Sequence, residues 1–188
     1  MPDKRCLEPR TYLFPAPCVV VSCSDGETTN LITLAWAGTV CSDPPQVGIG
    51  VRKSRHSHRL LTAGGDFVVN IPTAGQARAV DFCGVRSGRE VDKWDAVGLT
   101  PGPAAEVSSP LIVEFPVNLE CVTRHVYELG SHDLFIGEIV AVHVEAGLLD
   151  ADDTLDPGCF EPLVYNYGGQ YRSLGGLLGT AGFSVKEQ

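Results

Sequence analysis

Alternating apolar and polar positions predict a chain built mainly from β-strands. In the second half, residues 117–127 and 132–146 place apolar side chains at every second position, and the second of these runs is apolar on both faces. Strands with two apolar faces are typical of a barrel that is packed inside and outside. Two shorter β-branched runs, 18–24 and 66–71, predict further strands. The pattern therefore predicts a mainly β fold, an antiparallel β-barrel with a few short helices.

Turn-forming residues divide the first half of the chain into shorter elements. Asp25-Gly26 predicts a hairpin turn, because glycine supplies the positive φ that such turns require. The glycines at alternate positions of strand 46–51 leave one face bare, so another group can approach its backbone. The other predicted elements are a strand over 30–40, a turn at Ser42-Asp43-Pro44-Pro45, a helix from Ser54 or Ser57 to Leu61 ended by Gly64-Gly65, a helix over 76–82, irregular chain over 83–89, a short helix over 91–97 and a last strand over 163–165.

Length and composition indicate a single globular domain, 1–188, with 44% apolar and 20% charged residues. The formal net charge of −9 repels nucleic acid and anionic membranes, so we expect neither as a partner. No apolar run approaches the ~20 residues of a spanning helix, and the N-terminal residues lack a signal-peptide pattern. The seven scattered cysteines favour reduced thiols without a metal site. We therefore expect a cytoplasmic protein.

A cluster of cations stands out in this acidic chain. Arg52, Lys53, Arg55 and Arg59 lie within eight residues, beside two serines and before a predicted helix. Cationic side chains, hydroxyls and the free N–H groups of a helix N-terminus are the components of a phosphate site. A solvated basic turn is the alternative interpretation.

Other candidate residues are ambiguous when each is considered alone. Trp36 could stack on a heteroaromatic ligand whose polar edge binds Asn30 and Thr33, or it could be an ordinary core residue. His132, at a strand start, could donate a proton or simply lie at the surface. The loop 86–93 alone suggests a charged segment facing solvent. His125 and His143 lie within strands, which favours structural roles.

Seven short motifs, taken in order, resemble the flavin reductase-like family, and in particular its flavoredoxin-type members. The similarity extends over about residues 12–171. The motifs are Pro17-x-x-Val20, Asn30-x-x-Thr33-x-x-Trp36, Ser42-Asp43-Pro44-Pro45, Arg52-x-Ser54, Phe67-x-Val69-Asn70-x-Pro72, Gly84-x-x-Ser87-Gly88-x-x-x-Asp92-Lys93 and Glu128-Leu-Gly-Ser-His132.

The resemblance implies a split β-barrel, the binding of FMN and a homodimer with the flavin near the subunit interface. It also implies roles for individual residues. The isoalloxazine ring would contact Asn30, Thr33, Leu34, Ala35 and Trp36. The phosphate and ribityl chain would contact Arg52, Lys53, Ser54, Arg55 and Ser57. Lys93 and His132, the candidate catalytic residues, would reach the ring, and Tyr165 would cover it. The chain departs from commoner family patterns at residues 55–58, Arg-His-Ser-His, where a Tyr or Thr often stands.

The leading functional hypothesis is an FMN-dependent oxidoreductase in which NADH or NADPH transfers a hydride to flavin N5. No GxGxxG motif follows a strand, so the nicotinamide would have to stack directly on the flavin. Lys93 or His132 near the N1–C2=O end would stabilise the anionic reduced flavin. The alternatives are a flavoredoxin-like electron carrier that does not oxidise NAD(P)H directly, and a split barrel that binds no flavin. A redox partner protein or a monooxygenase would be the electron acceptor.

Overall fold

The structure, a computed structural model, describes residues 2–156 and 158–185. Its main sheet is antiparallel, with seven strands in the spatial order β2-β1-β5-β6-β7-β4-β3. The strands are β1 (Val19–Ser24), β2 (Thr29–Leu34), β3 (Ala37–Ser42), β4 (Pro45–Arg52), β5 (Asp66–Ile71), β6 (Val117–Glu128) and β7 (His132–Val144).

Helices and small strands cover the sheet. The α-helices are α1 (His56–Gly64), α2 (Ala77–Val85) and α3 (Lys93–Val97), and single 3-10 turns span Ala74–Gln76 and Ala146–Leu148. Ala16–Pro17, Val164–Asn166 and Gln170–Arg172 form a three-stranded sheet, and Pro101–Gly102 pairs with Leu111–Ile112. The prediction of a mainly β, antiparallel fold with a few short helices is confirmed.

The prediction of one continuous strand over residues 30–40 is wrong, because the strand ends before Ala35-Trp36 and a different strand begins after these two residues. β2 and β3 lie at opposite edges of the sheet although only these two residues separate them. A sheet whose two edges are joined so closely must curl into a barrel. At the junction, the Gly50 N–H donates to the Trp36 carbonyl at 2.8 Å. Barrel closure therefore ends β2 where the apolar pattern alone predicts continuation.

The alternation predicted along 132–146 is also wrong in part. Register shifts between Ile136 and Gly137, and again between Ile139 and Ala141, interrupt the pairing of β7 with β6. The first shift leaves Arg124 of β6 without a partner in the ladder, and the second leaves Val140 of β7 without one. Ile136, which precedes both shifts, is buried, whereas Val142, predicted on the same face, is exposed.

The helix boundaries follow from local contacts that spacing alone does not reveal. α1 extends to Gly64 and ends at Gly65, which adopts the left-handed conformation with φ 76°. Gly64 cannot be replaced by a residue with a side chain unless the backbone shifts, because an added Cβ would lie 1.9 Å from the Ser24 carbonyl oxygen. α2 continues through Val85, so the irregular chain predicted from Cys83 begins three residues later. Asp92 caps α3 by accepting from the Trp94 N–H at 2.9 Å.

Two apolar clusters hold these elements together. The first fills the barrel and includes Val21, Ile49 and Phe67. The second lies between the sheet and helices α2 and α3 and includes Val80 and Trp94. All seven cysteines are free thiols. Within the part of the chain that the structure describes, no helix is long and apolar enough to cross a membrane.

Candidate cofactor site

Two adjoining cavities open where β2 breaks and β4 ends. The larger has a volume of about 420 Å³ and the smaller about 290 Å³. Ile32, Arg52, Arg55 and Gly84 line both, so the two cavities form one continuous site. Their volumes lie within the range that is usual for pockets that bind small molecules.

The larger cavity has aromatic walls. Trp36 and His132 lie with ring centroids 4.4 Å apart at one side, and Tyr165 packs against Tyr171 at the other. Trp36 lies against the β4 backbone at Gly50, where an added Cβ would be in ordinary contact with it at 3.5 Å. The aromatic side chains on the cavity walls can stack on a planar ligand.

The smaller cavity is polar and cationic. The first turn of α1 borders it, and its cap residue, Arg55, makes no capping hydrogen bond with its side chain. The first N–H groups of a helix have no partner within the helix, so they can bind an anion here. The polar side chains that line this cavity are Asn30, Arg52, Ser54, Arg55, His56, Ser57, Arg86, Ser87 and Lys93.

A close contact brings the loop after α2 into the site. Asn30 Nδ2 donates to Ser57 Oγ at 2.8 Å. An added Cβ at Gly88 would lie 2.1 Å from Asn30 Oδ1, so only glycine allows the loop to pack this closely. The prediction that loop 86–93 faces solvent is therefore wrong for Arg86, Ser87 and Lys93, which line the smaller cavity. Ser57 is likewise an acceptor for Asn30 and does not cap the helix.

Lys93 lies buried beneath the smaller cavity, with 4% of its surface exposed. Its Nζ donates to the Leu31 and Cys83 carbonyls, each at 2.7 Å. Burial lowers its pKa below the ordinary lysine value. His132 lines the larger cavity instead, so the two residues predicted at one ring lie in different cavities. A role for Lys93 at the ring stays a prediction.

Only part of the cationic cluster lies at the cavities, and the rest pairs with carboxylates elsewhere. Arg52 and Arg55 line both cavities. Lys53 Nζ instead lies 2.8 Å from Glu128 and 3.4 Å from Asp133, and Arg59 pairs with Asp25. Lys53 follows the last residue of β4, in the turn before α1, and its side chain lies outside both cavities, with Glu128 and Asp133. A contact between Lys53 and the phosphate stays a prediction.

Six of the eight residues predicted at the ring line the larger cavity. Thr33 donates its hydroxyl hydrogen to the Val80 carbonyl, so that hydrogen already has a partner. His132 Nδ1 lies 2.9 Å from Ser131 Oγ. Burial, together with the charge of Arg52, lowers the pKa of His132 below its ordinary value. The larger cavity is lined by Thr33, Leu34, Ala35, Trp36, His132 and Tyr165, whereas Asn30 lies in the smaller one.

Three of the polar side chains that line the smaller cavity were absent from the predicted site. His56, Arg86 and Ser87 all face the smaller cavity. For Ser87 a signal was present, the motif Gly84-x-x-Ser87-Gly88. Arg86 could not be placed from sequence because the end of α2 was predicted three residues too early, which left its direction undefined.

Comparisons with known proteins agree with this geometry. The family model described as "Flavin reductase like domain" matches residues 11–175. The structure of a flavoredoxin from Desulfovibrio vulgaris (Miyazaki F) is 34% identical and superposes with a TM-score of 0.89 over 98% of this chain and all of that one. An FMN-binding protein from Thermus thermophilus is 30% identical, with a TM-score of 0.79 over 92% and 96% of the two chains.

A third relative is described as an enzyme. The "NADH-dependent FAD reductase" of Streptomyces globisporus is 33% identical over 128 residues, which cover 68% of this chain and 69% of that protein. The split-barrel fold, the site at its rim and the matched model together identify the chain as a member of the flavin reductase-like family.

Proposed function

We propose that this protein is an FMN-binding oxidoreductase that accepts electrons from NADH or NADPH. The observation that carries the proposal is the pair of adjoining cavities, one lined by aromatic rings, the other polar and cationic, which share Arg52 and Arg55. FMN has the matching form, since a planar ring is linked through a ribityl chain to one phosphate. The residues present therefore fit this cofactor.

The smaller cavity suits the phosphate. The smaller cavity contains the guanidinium groups of Arg52, Arg55 and Arg86. Each can form two parallel hydrogen bonds to phosphate oxygens, and the first turn of α1 supplies N–H groups. Ser54 and Ser57 add hydroxyl groups at the same place. In a chain of net charge −9, such a concentration of cations around one cavity is best explained by an anionic ligand.

The larger cavity suits the ring. Trp36 offers a π-face, and the irregular backbone at Ala35 leaves main-chain groups that can bind the polar edge of the ring. His132, whose lowered pKa favours the neutral imidazole, can donate a hydrogen bond to a ring carbonyl. When bound, FMN would supply two-electron hydride chemistry and one-electron transfer.

We propose further that the chain is one domain, with a core over residues 12–171, and that it forms a homodimer with the flavin near the interface. The matched family model over 11–175 supports the first point. The second is supported by exposed apolar side chains beside the larger cavity, namely those of Trp36, Val40 and Leu129. Apolar surface of this kind favours association.

A second candidate function is electron transfer without direct oxidation of NAD(P)H. The observation that favours it is the flavoredoxin of D. vulgaris, which matches 98% of this chain with a TM-score of 0.89. In that case the donor and the acceptor would both be proteins. The relative named as an NADH-dependent FAD reductase, at 33% identity, favours the first candidate. A monooxygenase or a redox protein would receive the electrons under either candidate.

One preparation tests both candidates. FMN is titrated into the purified protein and followed by flavin fluorescence, and the complex is then mixed anaerobically with NADH or NADPH in a stopped-flow instrument. Bleaching of the flavin absorbance within the turnover timescale supports the reductase. A complex that binds FMN but is not bleached supports the electron carrier. A protein that binds no FMN would contradict both.

A further inference from the structure

A buried carboxylate beside the cofactor site has no part in the site as described above. Asp133, the second residue of β7, follows His132 and is 5% exposed. Its Oδ2 lies 2.7 Å from His58 Nε2. Its Oδ1 has no hydrogen-bond partner among the described residues, although Lys53 Nζ lies 3.4 Å away. One imidazole from another element is therefore its main polar contact.

His58 connects this carboxylate to the helix that borders the smaller cavity. It is the third residue of α1, and its backbone N–H donates to the Arg55 carbonyl at 3.1 Å. Its ring also packs edge-on against Phe135 of β7, with centroids 5.5 Å apart. The first turn of α1 is thus joined to the start of β7 by one polar and one aromatic contact, both made by the same side chain.

The charge of Asp133 is stabilised by its neighbours but is unfavourable for an anion in the cavity. Burial alone would raise its pKa, but the contacts with His58 and Lys53 outweigh burial and hold the pKa below its ordinary value. The group is therefore an anion near a cavity built for an anion, and its field opposes phosphate binding. What the carboxylate can contribute to the site is therefore geometry, through its contact with His58.

We propose that Asp133 and His58 are a positioning pair that fixes the N-terminal turn of α1 relative to β7, and that this turn is thereby held in place for the FMN phosphate. The inference rests on the proposed function. Neither residue lines the two cavities, so each acts through the helix. N–H donors bind an anion well only when held to within a fraction of an ångström of the productive geometry.

The test compares the affinity for FMN with that for riboflavin, which has the same ring but no phosphate. We expect Asp133→Asn and His58→Phe each to weaken FMN binding about tenfold and to change riboflavin binding less than about twofold. His58→Phe keeps a ring against Phe135 and removes both nitrogens. The double variant should bind FMN about as well as either single variant, because the two residues act as one unit.

The sign of the effect separates positioning from simple electrostatics. Removing the negative charge of Asp133 would tighten FMN binding if only the field mattered, so tighter binding in Asp133→Asn would overturn the proposal. An unchanged preference for FMN over riboflavin in both single variants would also overturn it. So would an equal loss of both affinities, which is the result expected of a residue that merely supports the fold.

Two controls keep the result interpretable. Glu128→Gln removes the other, exposed partner of Lys53 and should leave both affinities unchanged. If Asp133→Asn does not fold, His58→Gln replaces it: this variant keeps a side-chain donor and must retain more of the FMN preference than His58→Phe. Wild-type protein that does not prefer FMN to riboflavin would contradict the phosphate assignment of the proposed function, an outcome distinct from failure of the pair.

Discussion

Among the described residues, two buried carboxylates each contact a histidine, and the two contacts are built differently. Glu120 of β6 is fully buried and accepts from the N–H groups of residues 105, 106 and 107 as well as from His143. Asp133, beside the cofactor site, has His58 as its main partner and one oxygen without a hydrogen bond among the described residues. Both oxygens of Glu120 accept hydrogen bonds, whereas only one oxygen of Asp133 does.

The difference indicates that the Glu120–His143 contact supports the fold, whereas the Asp133–His58 contact positions a helix. Glu120 holds the loop before β6 by three backbone donors, and Asp66 holds the same loop through Ser108 and Ser109. A buried charge that is fully hydrogen-bonded stabilises the structure around it. Asp133 lacks such a shell and lies next to the cavities, so its value lies in what it positions.

The largest effect is expected from Glu120→Gln. The amide cannot accept from all the donors that now converge on this carboxylate, and one of its own hydrogens would face them. We expect the free energy of unfolding to fall by about 3 kcal/mol, as measured by urea denaturation. The preference for FMN over riboflavin should not change. A variant with wild-type stability, or with an altered preference, would contradict the assignment of Glu120 to the fold.

The next largest effect is expected from Arg52→Ala, since Arg52 lines both cavities. Loss of a charge-assisted hydrogen bond to phosphate should weaken FMN binding by about 2 kcal/mol. The loss should diminish as salt is added, because salt screens the interaction in the wild type. Fluorescence titration at two ionic strengths measures both quantities. Arg124→Ala, which breaks an ion pair with Glu138, is the control and should not alter affinity.

A smaller effect is expected from pH. Burial would raise the pKa of Glu120, but the hydrogen bonds from residues 105 and 106 and from His143 outweigh it, so the pKa lies below the ordinary value of 4.5. The stabilisation is therefore complete above pH 4.5 and is lost as pH falls through the lowered pKa. Urea denaturation in this acidic range should show a shallower pH dependence in Glu120→Gln. Parallel curves would show that other groups cause the acid sensitivity.

The smallest effect is expected from Lys53→Ala, the matched partner of Arg52→Ala. The two cations are adjacent in sequence, but the Lys53 ammonium lies on the exposed Glu128 carboxylate. Exposed ion pairs contribute little, so FMN affinity should change by less than about twofold. Fluorescence titration under the conditions used for Arg52→Ala measures it. A loss as large as that of Arg52→Ala would mean that Lys53 does reach the phosphate.

Much of the fold could be predicted because it is encoded locally. The β-branched runs, the Asp25-Gly26 turn and the Asp43-Pro44 turn each specify their own conformation, and the strands and hairpins form there. The motifs that run through the chain identified the family. For the candidate site, Arg52, Arg55 and residues 33–36 line the cavities and could be singled out from the sequence, because they lie in short continuous stretches.

The sequence by itself determined the strands, the turns and the group of residues from which the site is built. Only the tertiary structure decided how these residues divide. Closing the barrel breaks the chain at Ala35-Trp36, places Arg52 at the cavities and Lys53 outside them, and packs Gly88 against Asn30. It also brings Asp133 to His58, 75 positions away in sequence. The physical reason is that strand formation depends on neighbours along the chain, whereas a side chain's partner depends on which edges of the sheet meet.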